Sequence, residues 1–224
     1  MSSFRALTLV KRRLNLKKVG HLGTLDPQAC GVLVLLCGRA TKLTNQLHAP
    51  TKVYRTLITW GQETDTLDSE GQLVASSEVI PTTEQIMATL PSMVGEIQIE
   101  VPKFSAVHIN GKRAYELARQ GIDFVPPIKT VMITRFEMLD TKQCERDLTA
   151  IGESFQLPAK ANYFEIECQA GTYIRSLAKL LATRLGTVAT ASVILRTRVG
   201  EFSLDRACQL DKVQIDDLKP LEEF

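Results

Sequence analysis

The order of segments predicts an α+β fold with a mixed, mainly antiparallel sheet flanked by helices. Three observations carry that reading. Strand-like runs come in groups with helices between them, not in strict strand–helix alternation. The stretch 53–60 alternates with period two, as a half-buried strand does. The chain has 224 residues, 44% hydrophobic and 23% charged, which is ordinary for a globular protein and long enough to bury a core.

The first segment reads as a helix. Ser2 or Ser3 can cap it, and Phe4, Leu7, Val10 and Leu14 keep the spacing of one inward face. Its other side carries Lys11, Arg12 and Arg13, with Lys17 and Lys18 just beyond. A charge run is usually a solvated face. This one leads into a glycine-rich loop, which points to a surface that meets phosphates. The apolar run 32–37 reads as a buried strand stopped by Gly38. In 53–60, Tyr54, Thr56, Ile58 and Trp60 share one face, and Val53, Arg55, Leu57 and Thr59 the other. Residues 64–71 are polar and turn-rich and read as a loop. Residues 81–94 read as a helix with Ile86 and Leu90 inward. Residues 95–128 are irregular, broken by Pro102, Gly111, Gly121, Pro126 and Pro127, with one short helix around 114–119. Residues 130–139 and 163–168 read as strands. Residues 172–185 form an amphipathic helix with Ile174, Leu177, Leu181 and Leu185 inward and Gly186 as its stop.

Composition narrows the function classes. No apolar run approaches the ~18 residues a membrane helix needs. The start, Met1-Ser2-Ser3-Phe4, lacks the apolar core of a signal peptide. Cys30, Cys37, Cys144, Cys168 and Cys208 are odd in number and form no Cys-x-x-Cys. That speaks against a disulfide framework and a zinc site, and predicts a reducing, cytoplasmic setting. The net charge of +2 says little about partners; the position of the charges says more.

Asp26 is the candidate catalytic residue. It sits among Gly20, Gly23 and Gly31, which let another backbone or a ligand come close. Pro27 biases it toward extended geometry and so fixes how its carboxylate projects. A lone Asp-Pro reads as a turn aspartate satisfying its own backbone. The density of glycine and the basic helix ahead weaken that plainer reading.

These residues carry a resemblance. Gly20-His21-Leu22-Gly23-Thr24-Leu25-Asp26-Pro27, with Ala29, Gly31, Val32 and Leu33, resembles the catalytic signature of the TruB family of tRNA pseudouridine synthases. Further motifs follow in order. They are Ala40-Thr41-Lys42-Leu43, Lys52-x-Tyr54 with Gly61, and Thr64-x-Thr66-x-Asp68-x-x-Gly71. After them come Pro102-x-Phe104-Ser105-Ala106 with Gly111, Tyr115-x-x-Ala118-Arg119-x-Gly121, and Gly171-Thr172-Tyr173-Ile174-Arg175-x-Leu177. The last is Ile194-Leu195-Arg196-Thr197 with Gly200-x-Phe202.

The resemblance implies a pseudouridine synthase fold over residues 1–202 with an RNA-gripping insertion at about 101–128. Residues 203–224 would be a short acidic tail with no PUA domain. It implies isomerisation of a uridine, uridine-55 of the tRNA T arm, by a monomer needing no metal and no organic cofactor. Asp26 matches the catalytic aspartate, an ionised carboxylate acting on the sugar as nucleophile or base. Arg175 matches the arginine that pairs with it and favours its charged form. The amphipathic pattern alone places Arg175 off the inward stripe, at the surface. Tyr54 matches the tyrosine that stacks on the target base, which contributes ~1–3 kcal/mol; alone it reads equally well as a core aromatic. Tyr173 is a further lining residue. His21 matches the histidine near the target nucleotide, which must be extruded before its sugar is reached. Ile194 matches an apolar lining position and reads equally as core. Lys42, Lys103, Lys112, Arg113 and Arg119 are candidate phosphate contacts.

Glycosidases usually use two carboxylates and a water, and these motifs offer no second carboxylate. The sequence departs from the family pattern at its start, where a strand ending in Lys-Pro-x-Gly is expected. It departs again at Val101, His108 and Leu195, where Pro, Lys and Arg are expected. Two other readings stay open: a non-catalytic tRNA binder or folding helper, and an aspartate-dependent nucleoside hydrolase.

Overall fold

The computed structural model describes residues 1–44, 47, 51–153 and 155–219. In chain order the elements begin with α1 (Ser3–Arg13), β1 (Val19–His21), β2 (Cys30–Gly31), β3 (Leu35–Cys37), β4 (Lys52–Trp60), β5 (Gln62–Thr64) and β6 (Leu73–Ser76). Next come α2 (Thr83–Thr89), β7 (Gly95–Glu100), β8 (His108–Ile109), β9 (Lys112–Arg113) and α3 (Ala114–Arg119). The rest are β10 (Ile128–Leu139), α4 (Thr141–Ala150), β11 (Ala161–Cys168), α5 (Ile174–Arg184), β12 (Ala189–Val199) and β13 (Phe202–Ser203).

The main sheet runs β13-β12-β4-β11-β10-β7, all antiparallel, with the short β2 added in parallel to β12. This is the α+β architecture that the order of segments predicts. β4 lies at its centre between β12 and β11. The sequence suggests a half-buried strand there, but both faces of β4 are covered. Tyr54, Ile58 and Trp60 join one core with Ile174, Leu177 and Leu181 of α5. Leu57, on the opposite face, packs with Tyr163, Val193, Cys144 and Leu148 of α4. Alternation survives because each face meets its own helix. Trp60 and Phe136 both meet Phe164 edge-on, at centroid distances of 6.4 and 5.6 Å.

Several elements differ from the sequence reading. α4, β7 and β12 were not legible in it. The apolar run 32–37 pairs as a strand only at Leu35–Cys37. Its Val32, Val34 and Leu36 are apolar because they fill a separate core with Leu22 and Val199. The segment read as one helix at 81–94 is α2, opened by a Thr82–Gln85 capping box, and then a tighter turn from Leu90 with Pro91 at its start. Ile86 and Leu90 do point inward. Phe4, expected inward on α1, is 75% exposed, whereas Val10 is buried. Ser2 caps α1, and Ser3 instead pins the helix to the glycine-rich loop. The Lys11-Arg12-Arg13 run is exposed at the end of α1. Among the described residues no helix is long and apolar enough to cross a membrane.

Candidate active site

The loop from β1 to β3 is held at several points. The Arg196 side chain, fully buried on β12, donates from Nε to the Val32 carbonyl at 2.8 Å. It also donates from its two terminal nitrogens to the Thr24 and Gly23 carbonyls at 3.2 Å each. Ser3 Oγ donates to the Leu25 carbonyl (3.0 Å) and accepts from the Leu25 amide (2.8 Å). Gly31 has φ +102°, and a Cβ there would strike the Arg196 backbone. Only glycine lets β2 lie against β12. Asp26 therefore projects from a loop fixed on both sides.

Arg175 brings three segments to one point. Its Nε donates to Asp26 Oδ2 at 2.9 Å, Nη1 to the Thr66 carbonyl at 2.7 Å, and Nη2 to the Phe104 carbonyl at 3.2 Å. Its side chain is 4% exposed against 38% for that of Asp26. The surface position its helix pattern suggests is thus corrected: the loops carrying Asp26, Thr66 and Phe104 close over the start of α5. Among the described residues, Asp26 Oδ1 takes no hydrogen bond from the protein. One carboxylate oxygen is held and the other is free, on a partly open group.

A second carboxylate does lie in the motifs. Asp68, buried at 4% exposure, stands 3.5 Å from Arg175 Nη1. Its oxygens accept from Gln28 Nε2 (2.6 Å), Thr66 Oγ1 (2.6 Å) and the Glu70 amide (3.0 Å). Its oxygens are thus engaged by Gln28, Thr66 and the Glu70 amide, with Arg175 beside them. Asp68 and Arg196 are the two site residues that sequence reasoning passed over. Both lie inside family-like motifs, Thr66-x-Asp68 and Leu195-Arg196-Thr197, and that placement is their signal in the sequence.

Tyr54 is buried on β4 with Arg196 beside its hydroxyl. Burial raises its pKa and keeps the phenol neutral, and the Asp26 charge acts the same way. Tyr173, the residue before α5, is half-buried, near Ser105 and within the field of Asp26 and Arg175. His21 is half-buried on β1. Burial, then the Arg196 charge, lowers its pKa, and its Nδ1 has no partner. Ile194 is buried among core residues on β12. The structure brings Asp26, Arg175, Tyr54 and Tyr173 together through these contacts and fields. His21 is tied to the group through Arg196, whereas Ile194 belongs to the packing beneath it.

The remaining basic candidates lie at the surface. Lys103 pairs with Asp123 at 2.8 Å, Arg119 lies over the Tyr115 ring at 5.5 Å, and Arg113 donates to the Ala106 carbonyl. Lys42 and Lys112 are exposed.

Residues 11–174 match the family model described as the N-terminal domain of TruB family pseudouridylate synthases. The chain belongs to that family. It is 39% identical over 214 residues to tRNA pseudouridine synthase B of Caulobacter vibrioides, which covers 96% of this chain. To tRNA pseudouridine synthase B of Geobacillus thermodenitrificans it is 37% identical over 216 residues. The chain spans 64% of the length of the first relative and 68% of the second. Among solved structures it resembles a chain of a Cbf5–Nop10–Gar1 complex. The TM-score is 0.63 at 27% identity, covering 91% of this chain and 46% of that one.

Proposed function

We propose that the chain isomerises a uridine of tRNA, uridine-55 in the T arm, to pseudouridine, with Asp26 as its one catalytic aspartate. The observation that supports this most is the Asp26 carboxylate itself: Oδ2 fixed by a buried guanidinium, Oδ1 free, on a loop clamped by Arg196. Family membership and the relatives' names point to the same chemistry.

The reaction breaks the N-glycosidic bond, turns the uracil and joins its C5 to C1′ of the ribose. No atom is lost, so the site must retain the freed base and exclude water. Asp26 supplies the charged oxygen against the sugar, as nucleophile or base. Arg175 fixes its direction through the Nε–Oδ2 hydrogen bond. Tyr54 stacks on the base, Tyr173 closes the other side, and His21 stands where the extruded nucleotide leaves the stack. Ile194 supports the apolar floor. The unit that does this work is residues 1–202, gripping RNA through residues 101–128, acting as a cytoplasmic monomer without metal or organic cofactor.

Incubation of the protein with unmodified tRNA, followed by mapping of pseudouridine, tests the reading. Product at one T-arm uridine is expected. Bound but unaltered tRNA would support a binding protein instead, and free uracil a hydrolase.

A further inference from the structure

Lys52 is the odd charge in the molecule. It lies on β4 two residues before Tyr54 and therefore on the same face, and the residue is only 7% exposed. Among the described residues its ammonium has no carboxylate within 4 Å and no hydrogen-bond acceptor. The residue is mostly buried while its Nζ is not among the atoms sealed from solvent, so the charge stands at an opening with no acid to balance it.

The acids of the site and of the adjoining end of β11 are engaged by arginines. Asp26 and Asp68 face Arg175, and Glu167 faces Arg135 and Arg198. A side chain at Gly23 would meet the Lys52 ammonium: a Cβ there would lie 2.8 Å from Nζ. The loop that carries Asp26 thus has a glycine where this cation comes up to it.

A second cation without an acid partner stands across the strands. Lys129 Nζ, on β10, donates to the Gly171 carbonyl at 3.0 Å, and a Cβ on Gly171 would run into it. Gly171 opens the turn that delivers Tyr173 and Arg175. Lys129 also has no carboxylate within 4 Å among the described residues, and it is exposed. The two lysines meet at the end of β11: Lys52 pairs in register with Cys168, and Lys129 holds the Gly171 carbonyl in the turn that follows.

We propose that Lys52 and Lys129 form a seat for the phosphodiester next to the extruded nucleotide, beside the Asp26 carboxylate. A phosphodiester carries one negative charge on two free oxygens, which suits two ammonium groups flanked by bare glycine backbone. The base would lie on Tyr54, the sugar against Asp26, and the adjoining phosphate on Lys52. The proposal rests on the tRNA reading above.

The test uses a T-arm hairpin RNA in which either phosphate flanking the target uridine is replaced by a neutral methylphosphonate. Binding is measured in the Asp26→Asn background, so that the RNA stays unconverted. With Lys52 and Lys129 intact, one of the two replacements weakens binding. With Lys52→Met and Lys129→Gln together, that same replacement has no further effect. The slope of log affinity against log salt falls by ~0.7–0.9 for each lysine removed. Lys52→Met alone leaves the melting temperature unchanged or raised, because it removes a charge that no acid balances and keeps an apolar stem. A merely structural lysine would lower it. Lys129→Gln, at the surface, gives the same binding readout if Lys52→Met fails to fold. Undiminished methylphosphonate sensitivity in the double variant overturns the seat. Conversion of unmodified tRNA by the unaltered chain is scored apart: its absence removes the tRNA reading and the seat with it.

Discussion

Arg175 holds one oxygen of Asp26 and leaves the other free, and it is itself buried under the loops that carry Asp26, Thr66 and Phe104. Replacing Arg175 by leucine leaves Asp68 charged, buried and short of its cation. Loss of one partner from such a pair costs about 3–5 kcal/mol. Urea unfolding of Arg175→Leu should show a drop of that order, and the variant should form no pseudouridine. His21 gives a second residue-scale prediction. Its pKa in the folded chain lies below the ordinary value, through burial and then Arg196. As pH falls below ~6.5, the unfolded chain takes up the proton before the folded one. The histidine's contribution to stability is therefore full above that pH and is lost as pH falls toward the folded value. His21→Gln should flatten that part of the pH–stability curve, and the imidazole resonance should titrate below ~6.5. A His21 that titrates above it would contradict the assignment. Asp26 was legible as a residue because its glycines and proline are neighbours in the chain. The buried setting of Arg175 was not, because its partners Asp26 and Thr66 lie 149 and 109 residues away.

At the scale of elements, the site depends on how β2 is pressed against β12. Gly31 makes that contact with a left-handed backbone and no side chain. Gly31→Ala should cost about 1–3 kcal/mol from backbone strain, with the clash against the Arg196 backbone added. Because Arg196 also holds Gly23 and Thr24, activity should fall further than stability alone explains. Thermal melting and single-turnover conversion, measured side by side, check both parts; a fully active, equally stable variant would remove the clamp from the account. The period-two run in β4 and the amphipathic α5 could be read directly. α4 could not, since Thr141–Ala150 carries little apolar pattern and buries chiefly Cys144 and Leu148. β12 was hidden for a different reason. Its Thr190 and Arg196 are buried polar residues satisfied by distant carbonyls, so its polarity does not report its burial.

For the whole molecule, the proposed function asks how a chain of net charge +2 would hold a polyanion, and the placement of its charges supplies a route. Lys11, Arg12 and Arg13 end α1 on the solvent side, and Ser3 ties the start of the same helix to the Asp26 loop. Basic residues on that helix are thus rigidly connected to the site. Binding of a T-arm hairpin should weaken steeply as salt rises. Neutralising Lys11, Arg12 and Arg13 together should lower the log–log slope by ~0.7–0.9 per lost contact, and an unchanged slope would remove the helix from the RNA surface. The α+β class was legible from the order of segments. The two helices covering opposite faces of the sheet were not, because only one of them is written in apolar periodicity.

In the proposed function a single carboxylate, that of Asp26, does the chemistry. Asp26→Asn keeps the size of the side chain and removes its charge. Its rate of pseudouridine formation should be measured under single-turnover conditions, with RNA binding followed in the same samples. The account predicts binding within a few-fold of the unaltered chain and no detectable product. Conversion at the unaltered rate would contradict it.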